Sequence, residues 1–153
     1  MAPATAHAPA DLHGTVESRL RAGGQRYTGR RRALVELLAR SECPLALPDI
    51  IRARGDLAQS SVYRNLACLE RAGVVRRVVT EDEHGRYELA EDLSGHHHHL
   101  ICRRCGRVQD LLLPTPLERS LDRTLDRLGA EAGFAEVGHR LDLIGLCRSC
   151  GKA

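Results

Sequence analysis

Two Cys-x-x-Cys pairs, Cys102/Cys105 and Cys147/Cys150, bound one segment of the chain, with 41 residues between them (106–146). Four thiolates in two such knuckles make the ligand set of a closed, tetrahedral zinc site with no open position for chemistry. The separation exceeds that of an ordinary zinc ribbon, so the intervening chain must fold back to bring the knuckles together. A redox dithiol pair is the competing reading. Two knuckles at the start and end of one module point instead to a structural staple, worth on the order of 10 kcal/mol or more in zinc-finger peptides.

Four consecutive histidines, His96 to His99, stand just before the first knuckle in "HHHHLIC". Successive side chains of an extended chain point to opposite faces. His96 and His98 therefore share one face and His97 and His99 the other, which makes two half-sites back to back. Glu118 falls in the first turn of a downstream amphipathic helix, and His139 falls in an alternating segment read as a strand. With His96 and His98 they would complete a nitrogen and oxygen site inside this segment. On the other face, His97 and His99 would join Glu88, at the end of a preceding hairpin. The fourth ligand there is left open among His84, Glu91, Asp92 or a water. A solvated histidine tract is the bland alternative to both sites.

Upstream, the signals alternate between helix and turn. "TVESRLRAGG" ends a short helix in Gly-Gly, and Thr28 is placed to cap "GRRRALVELLA". "LPDIIRARG" has Pro48 in its first turn. "SSVYRNLACLERAG" has a serine to cap it, Val62, Leu66 and Leu69 at helical spacing, and Gly73 to stop it. "VVRRVVT" and "RYEL" then read as a two-stranded hairpin. Helices followed by such a hairpin make a winged helix-turn-helix, whose recognition helix enters the DNA major groove. Ser60, Ser61, Tyr63, Arg64 and Asn65 lie opposite the apolar stripe, where they would reach phosphates and base edges. An ordinary solvated helix face has the same pattern.

After Gly95 the pattern changes to strand, strand, helix and strand. Leu117, Leu121, Leu125 and Leu128 form a stripe on the helix, a large apolar surface that favours dimerisation. The chain thus divides into an Ala/Pro-rich disordered tail (1–15), a winged-helix domain (16–90), a hinge (91–95) and a small α/β domain (96–153). The fold class is α/β in the broad α+β sense. Residues 1–80 carry 13 Arg against 7 Asp and Glu, and residues 81–153 carry 10 Lys and Arg against 13 acids. A basic first half suits nucleic acid. No apolar run reaches membrane-spanning length and no signal peptide is evident, so a cytoplasmic protein is expected. No catalytic triad or carboxylate pair stands out, so an enzyme is not expected. A zinc-storage or zinc-ribbon interaction protein is the rival from another class.

Taken in order, these segments resemble the ferric uptake regulator (Fur) family of metal-sensing bacterial repressors. The resemblance rests on "YTGRRRALVELL", "SSVYRNLACLERAGVV", "YEL", "HHHHLICRRCG", His139 and "CRSC", from about Val16 to Gly151. It implies a cytoplasmic homodimer with a winged-helix domain and an α/β dimerisation domain, binding palindromic double-stranded DNA operators when metal-loaded. It also implies structural Zn2+ on the four cysteines and a second metal site on His96, His98, Glu118 and His139. Tyr63 and Arg64 fall on the family's DNA-reading helix and Arg31 near the DNA backbone. The four-histidine run looks most like the zinc uptake regulators, which implies Zn2+ as the sensed ion, with Fe2+, Ni2+ or peroxide sensing as rivals. Pro44 stands where many members carry a sensor histidine, no cysteine lies between Cys68 and Cys102, and Arg76 stands about where zinc sensors place an acid.

Overall fold

The computed structural model describes residues 11–80 and 85–151. The first part contains α1 (Leu12–Ala22), α2 (Gly29–Ala39), β1 (Leu45–Ala46), α3 (Leu47–Ala53), α4 (Gln59–Arg71), β2 (Val75–Val78) and β3 (Arg86–Leu89). After the short α5 (Glu91–Ser94) come β4 (His98–Cys102), β5 (Val108–Leu111), α6 (Thr115–Glu131), β6 (Asp142–Gly145) and α7 (Arg148–Gly151).

The first helix starts at Leu12, so residues 12–15 are not tail. Asp11 caps it, its side chain accepting from Gly14 N at 2.8 Å. The preceding residues, 1–10, lie outside those described. Thr28 caps α2 as the sequence predicts, its hydroxyl accepting from Arg31 N at 3.4 Å. The serine cap expected for α4 is absent. Ser60 and Ser61 already sit inside its first turn, and Ala58 holds the cap position with no side-chain bond. Val16, Leu20, Leu34, Val35, Ile50, Val62, Leu66 and Leu69 form the core beneath these helices.

The hairpin has three strands instead of two, in the order β1-β3-β2, all antiparallel. The short β1 covers the outer edge of β3, whose backbone groups would otherwise be unpaired. Residues 91–95, expected as a hinge, contain a helical turn, Glu91–Ser94. Leu93 is buried in the first core, and Arg19 pairs with Asp92 while donating to Gly73 O. The chain turns at Gly95, where φ is +86°, a conformation that favours glycine.

In the second module the order is β5-β4-β6, with β4 antiparallel to β5 and parallel to β6. A parallel pair needs a crossover, which α6 supplies. That crossover sets Cys102 opposite Gly145 and so carries one knuckle to the other. Neither His96, His97 nor His139 lies on a strand: β4 begins at His98 and β6 at Asp142. Among the described residues, the buried apolar cluster at this end holds Val78 from the first module with Ile101 and Val108. No residue of α6 is buried, and Leu117, Leu128, Phe134, Ile144 and Leu146 are exposed in the single chain. No helix among the described residues is long and apolar enough to cross a membrane.

Candidate metal centres

Among the described residues, three clusters of His, Cys, Asp and Glu bring four ligand atoms each within 4.8 Å of one another. The first is Cys102, Cys105, Cys147 and Cys150. Gly106, at φ +65°, lets the first knuckle turn, with its N–H donating to Cys102 O at 2.9 Å. Cys150 N donates to Cys147 O in the second, also at 2.9 Å. The 3.8 Å between Cys105 Sγ and Cys147 Sγ matches the edge of a tetrahedron with metal–sulfur bonds of ~2.3 Å, which is ~3.8 Å. Backbone N–H groups of Cys147 and Cys105 aimed at Cys102 pull its thiol down to about 6, toward the thiolate a metal requires.

The second cluster is His96, His98, Glu118 and His139. Glu118 is central: its carboxylate lies 2.9 Å from His96 Nε2, 2.9 Å from His98 Nε2 and 3.0 Å from His139 Nε2. The last contact misses hydrogen-bonding geometry, and His139 Nε2 and His98 Nδ1 are buried without a hydrogen-bond partner. An orphaned imidazole nitrogen among convergent donors fits a metal better than a hydrogen-bond network. One turn below Glu118, Asp122 lies 3.4 Å from His139 Nδ1, an outer carboxylate that orients the ring.

The third cluster is Glu88, His97, His99 and Asp110. Here Glu88 comes from the first module and the other three from the second. Glu88 Oε2 lies 3.2 Å from both His97 Nε2 and His99 Nε2, close to the ~3.3 Å edge of a tetrahedron with ~2.0 Å bonds. Both rings have their other nitrogen committed: His97 Nδ1 donates to Gly95 O at 2.8 Å and His99 Nδ1 to Asp142 at 3.1 Å. This arrangement turns each Nε2 toward the cluster. Glu88, His97 and His99 are all buried, and Asp110 Oδ1 is buried with no hydrogen-bond partner. Burial pushes the Glu88 carboxyl up, but hydrogen bonds from His97 and His99 and the Arg76 guanidinium outweigh it, holding it at about 2.

Strand alternation therefore sorts the histidines as the sequence reading proposes, although two of the four precede the strand. Neither Glu91 nor Asp92, two of the candidates named for the open fourth position, stands in this cluster. Glu91 binds His96 and approaches Arg76, Asp92 binds Arg19, and His84 lies outside the described residues. Asp110 brings its carboxylate among the other three ligands. It sits directly opposite His99 in the β4–β5 register.

The helix face proposed for nucleic acid is partly different. Ser60, Tyr63 and Arg64 are exposed on α4. Ser61 is buried, contrary to expectation: Asn65 donates to its O and Oγ and is itself held by Arg31 of α2, whose Nε donates to it at 3.2 Å. A cleft of about 790 Å³ opens beside this contact, lined by Thr28, Gly29, Arg30, Arg31, Arg54, Asp56, Ser61, Arg64 and Asn65. Four arginines against one aspartate make it an anion-attracting surface.

Several known proteins are similar to this chain. The ferric uptake regulation protein of Campylobacter jejuni is 34% identical over 139 residues, covering 87% of this chain and 84% of that one. The peroxide operon regulator of Bacillus subtilis is 28% identical over 137 residues, covering 87% and 89%. The structure of the ferric uptake regulator from Pseudomonas aeruginosa with manganese superposes with a TM-score of 0.67 at 26% identity, covering 86% of this chain and 96% of that one. The model of the ferric uptake regulator family matches residues 22–144. The chain belongs to the ferric uptake regulator family, whose members are metal-responsive, DNA-binding regulators and not enzymes.

Proposed function

We propose that this protein is a cytoplasmic, homodimeric, metal-dependent transcriptional repressor that senses zinc. The observation that carries this reading is the third cluster, because it takes Glu88 from the winged helix and His97, His99 and Asp110 from the second module. A divalent cation would supply the positive charge that lets two carboxylates converge there. Glu88, at the end of β3, would then tie the DNA-reading module to the dimerising one at a set angle. The 3.2 Å contacts of Glu88 with both imidazoles suit a tetrahedral ion, which favours zinc. The four cysteines would hold structural zinc, and His96, His98, Glu118 and His139 a second, stabilising ion.

Ser60, Tyr63 and Arg64 would meet the operator from α4, with Arg31 and the basic cleft against the phosphates. The exposed apolar side chains of α6 and β6 are the surface a second copy would cover. Two-fold pairing of the heads implies a palindromic operator. To shift the heads from about 1:99 to 99:1 between open and closed, metal must favour the closed form by roughly 10⁴. The test is operator binding by fluorescence anisotropy across a zinc-buffer series, for wild type and His97→Ala/His99→Ala. Iron(II) and nickel(II) series run anaerobically separate the rival ions. Unchanged zinc dependence in the double variant would refute the assignment.

A further inference from the structure

Arg76 is a cation seated among the ligands of the third cluster. It stands on β2 directly opposite Glu88 on β3. Its Nε binds Glu88 Oε1, and Nη2 lies 3.4 Å from His97 Nε2, the nitrogen aimed at the cluster. The Arg76 and Glu88 side chains are only 14% and 9% exposed. The guanidinium thus occupies coordination space and neutralises the carboxylate that a metal would use. With neutral imidazoles, Glu88 and Asp110 bring two negative charges, so a divalent ion alone balances them. Arg76 left in place would make the loaded cluster positive.

We propose that Arg76 is a resident cation which a divalent metal must displace from Glu88, so that this residue sets the metal concentration at which the sensor cluster fills. The inference rests on the reading of that cluster as a metal site. The structure supplies a place for the displaced side chain. Glu91 already lies 3.7 Å from Arg76 Nη1. A cleft of about 750 Å³ opens on that side, lined in part by Arg76, Glu91, Asp92 and His96. Glu91 also binds His96 Nδ1, so its new partner adjoins the second cluster. Glu88 Oε2 already faces the imidazoles, but His97 Nε2 is clear of the guanidinium only in molecules where Arg76 has moved away, so apparent metal affinity is the intrinsic affinity reduced by that fraction.

The test is zinc competition against a buffered chelator using the full chain with its cysteine site loaded. The proteins are wild type, Arg76→Met, Arg76→Gln and His97→Ala/His99→Ala, with circular dichroism to check folding. The expected result is a site present in wild type and lost in the histidine variant, filling at zinc concentrations at least about tenfold lower in both Arg76 variants. A zinc that only the Arg76 variants take up, and lose when His97 and His99 are also replaced, supports the proposal equally. Equal or weaker zinc binding in whichever Arg76 variant folds, with the histidine-dependent site intact, overturns it. If no protein binds a zinc that depends on His97 and His99, the metal-site reading falls and the proposal with it.

Discussion

Consider replacing Cys102 with serine. Among the described residues, the second module contributes only Ile101 and Val108 to its buried apolar cluster beside Cys102 itself. Burial of an aliphatic side chain contributes about 1.5–3 kcal/mol, so this pair supplies roughly 3–6 kcal/mol. A four-thiolate zinc site contributes on the order of 10 kcal/mol or more at neutral pH. The staple therefore outweighs the apolar cluster it pins, and the first module, with its much larger core, does not depend on it. Cys102 is also buried, and its sulfur accepts from Cys147 N at 3.3 Å, a contact the shorter serine side chain weakens. Cys102→Ser should lose the structural zinc and unfold the second module while α1 to α4 stay folded. Hydrogen exchange reads this directly: amides of β4 and β6 lose protection, those of α4 keep it, and metal content falls by at least one zinc per chain, since the other two clusters draw ligands from the same module. A Cys102→Ser protein that retained protection in β4 and β6 would refute the claim that thiolate ligation, and not packing, holds this sheet.

Further outcomes follow from the same geometry. Glu88→Gln removes the carboxylate opposite Arg76. With Glu91 still nearby, the loss should be about 2–3 kcal/mol in denaturant unfolding of the protein lacking sensor-site metal, together with loss of metal-dependent operator binding. In that same form, Glu88 is held low, so its contribution is present above about pH 4.3 and disappears as pH falls toward 2. For His97, the Glu88 hydrogen bond outweighs burial, and for His99 the bonds to Glu88 and Asp142 do, so both values are raised. Their contribution is therefore present below about pH 6.5 and lost as pH rises through the raised values. The Tm difference between wild type and His97→Ala/His99→Ala should shrink from pH 6 to 8 without sensor-site metal and widen with zinc. A shrinking difference in both states would contradict the assignment. Ile144→Glu, placing a charge on the exposed face of β6, should leave monomers in sedimentation velocity where wild type forms dimers. Arg64→Ala should weaken binding to all DNA sequences alike and lower the salt slope by about 1 if its contact is to phosphate.

Much of the metal chemistry is visible in the linear sequence because it depends on local geometry. An extended chain alternates faces whatever surrounds it, so the division of His96 and His98 from His97 and His99 needs only the chain's own stereochemistry. The same holds for the knuckles, for Thr28 as a cap and for Gly73 as a stop. Positions that depend on neighbours fare worse. Ser61 looks outward on a helical wheel, but it is buried, with Asn65 donating to it. His139 looks like part of a strand, but β6 starts three residues later.

What the sequence by itself determined is the inventory: four thiolates in two knuckles, two pairs of imidazoles on opposite faces, a basic helical half and an acidic half. What only the tertiary structure decided is which partners meet. Asp110 reaches the sensor cluster through the β4–β5 register, and Arg76 enters it because β2 pairs with β3. The third wing strand exists because β1 satisfies the free edge of β3. The physical reason is common to all three. Ligand type and face are properties of single residues and their immediate backbone, whereas register is set by pairing between separate strands.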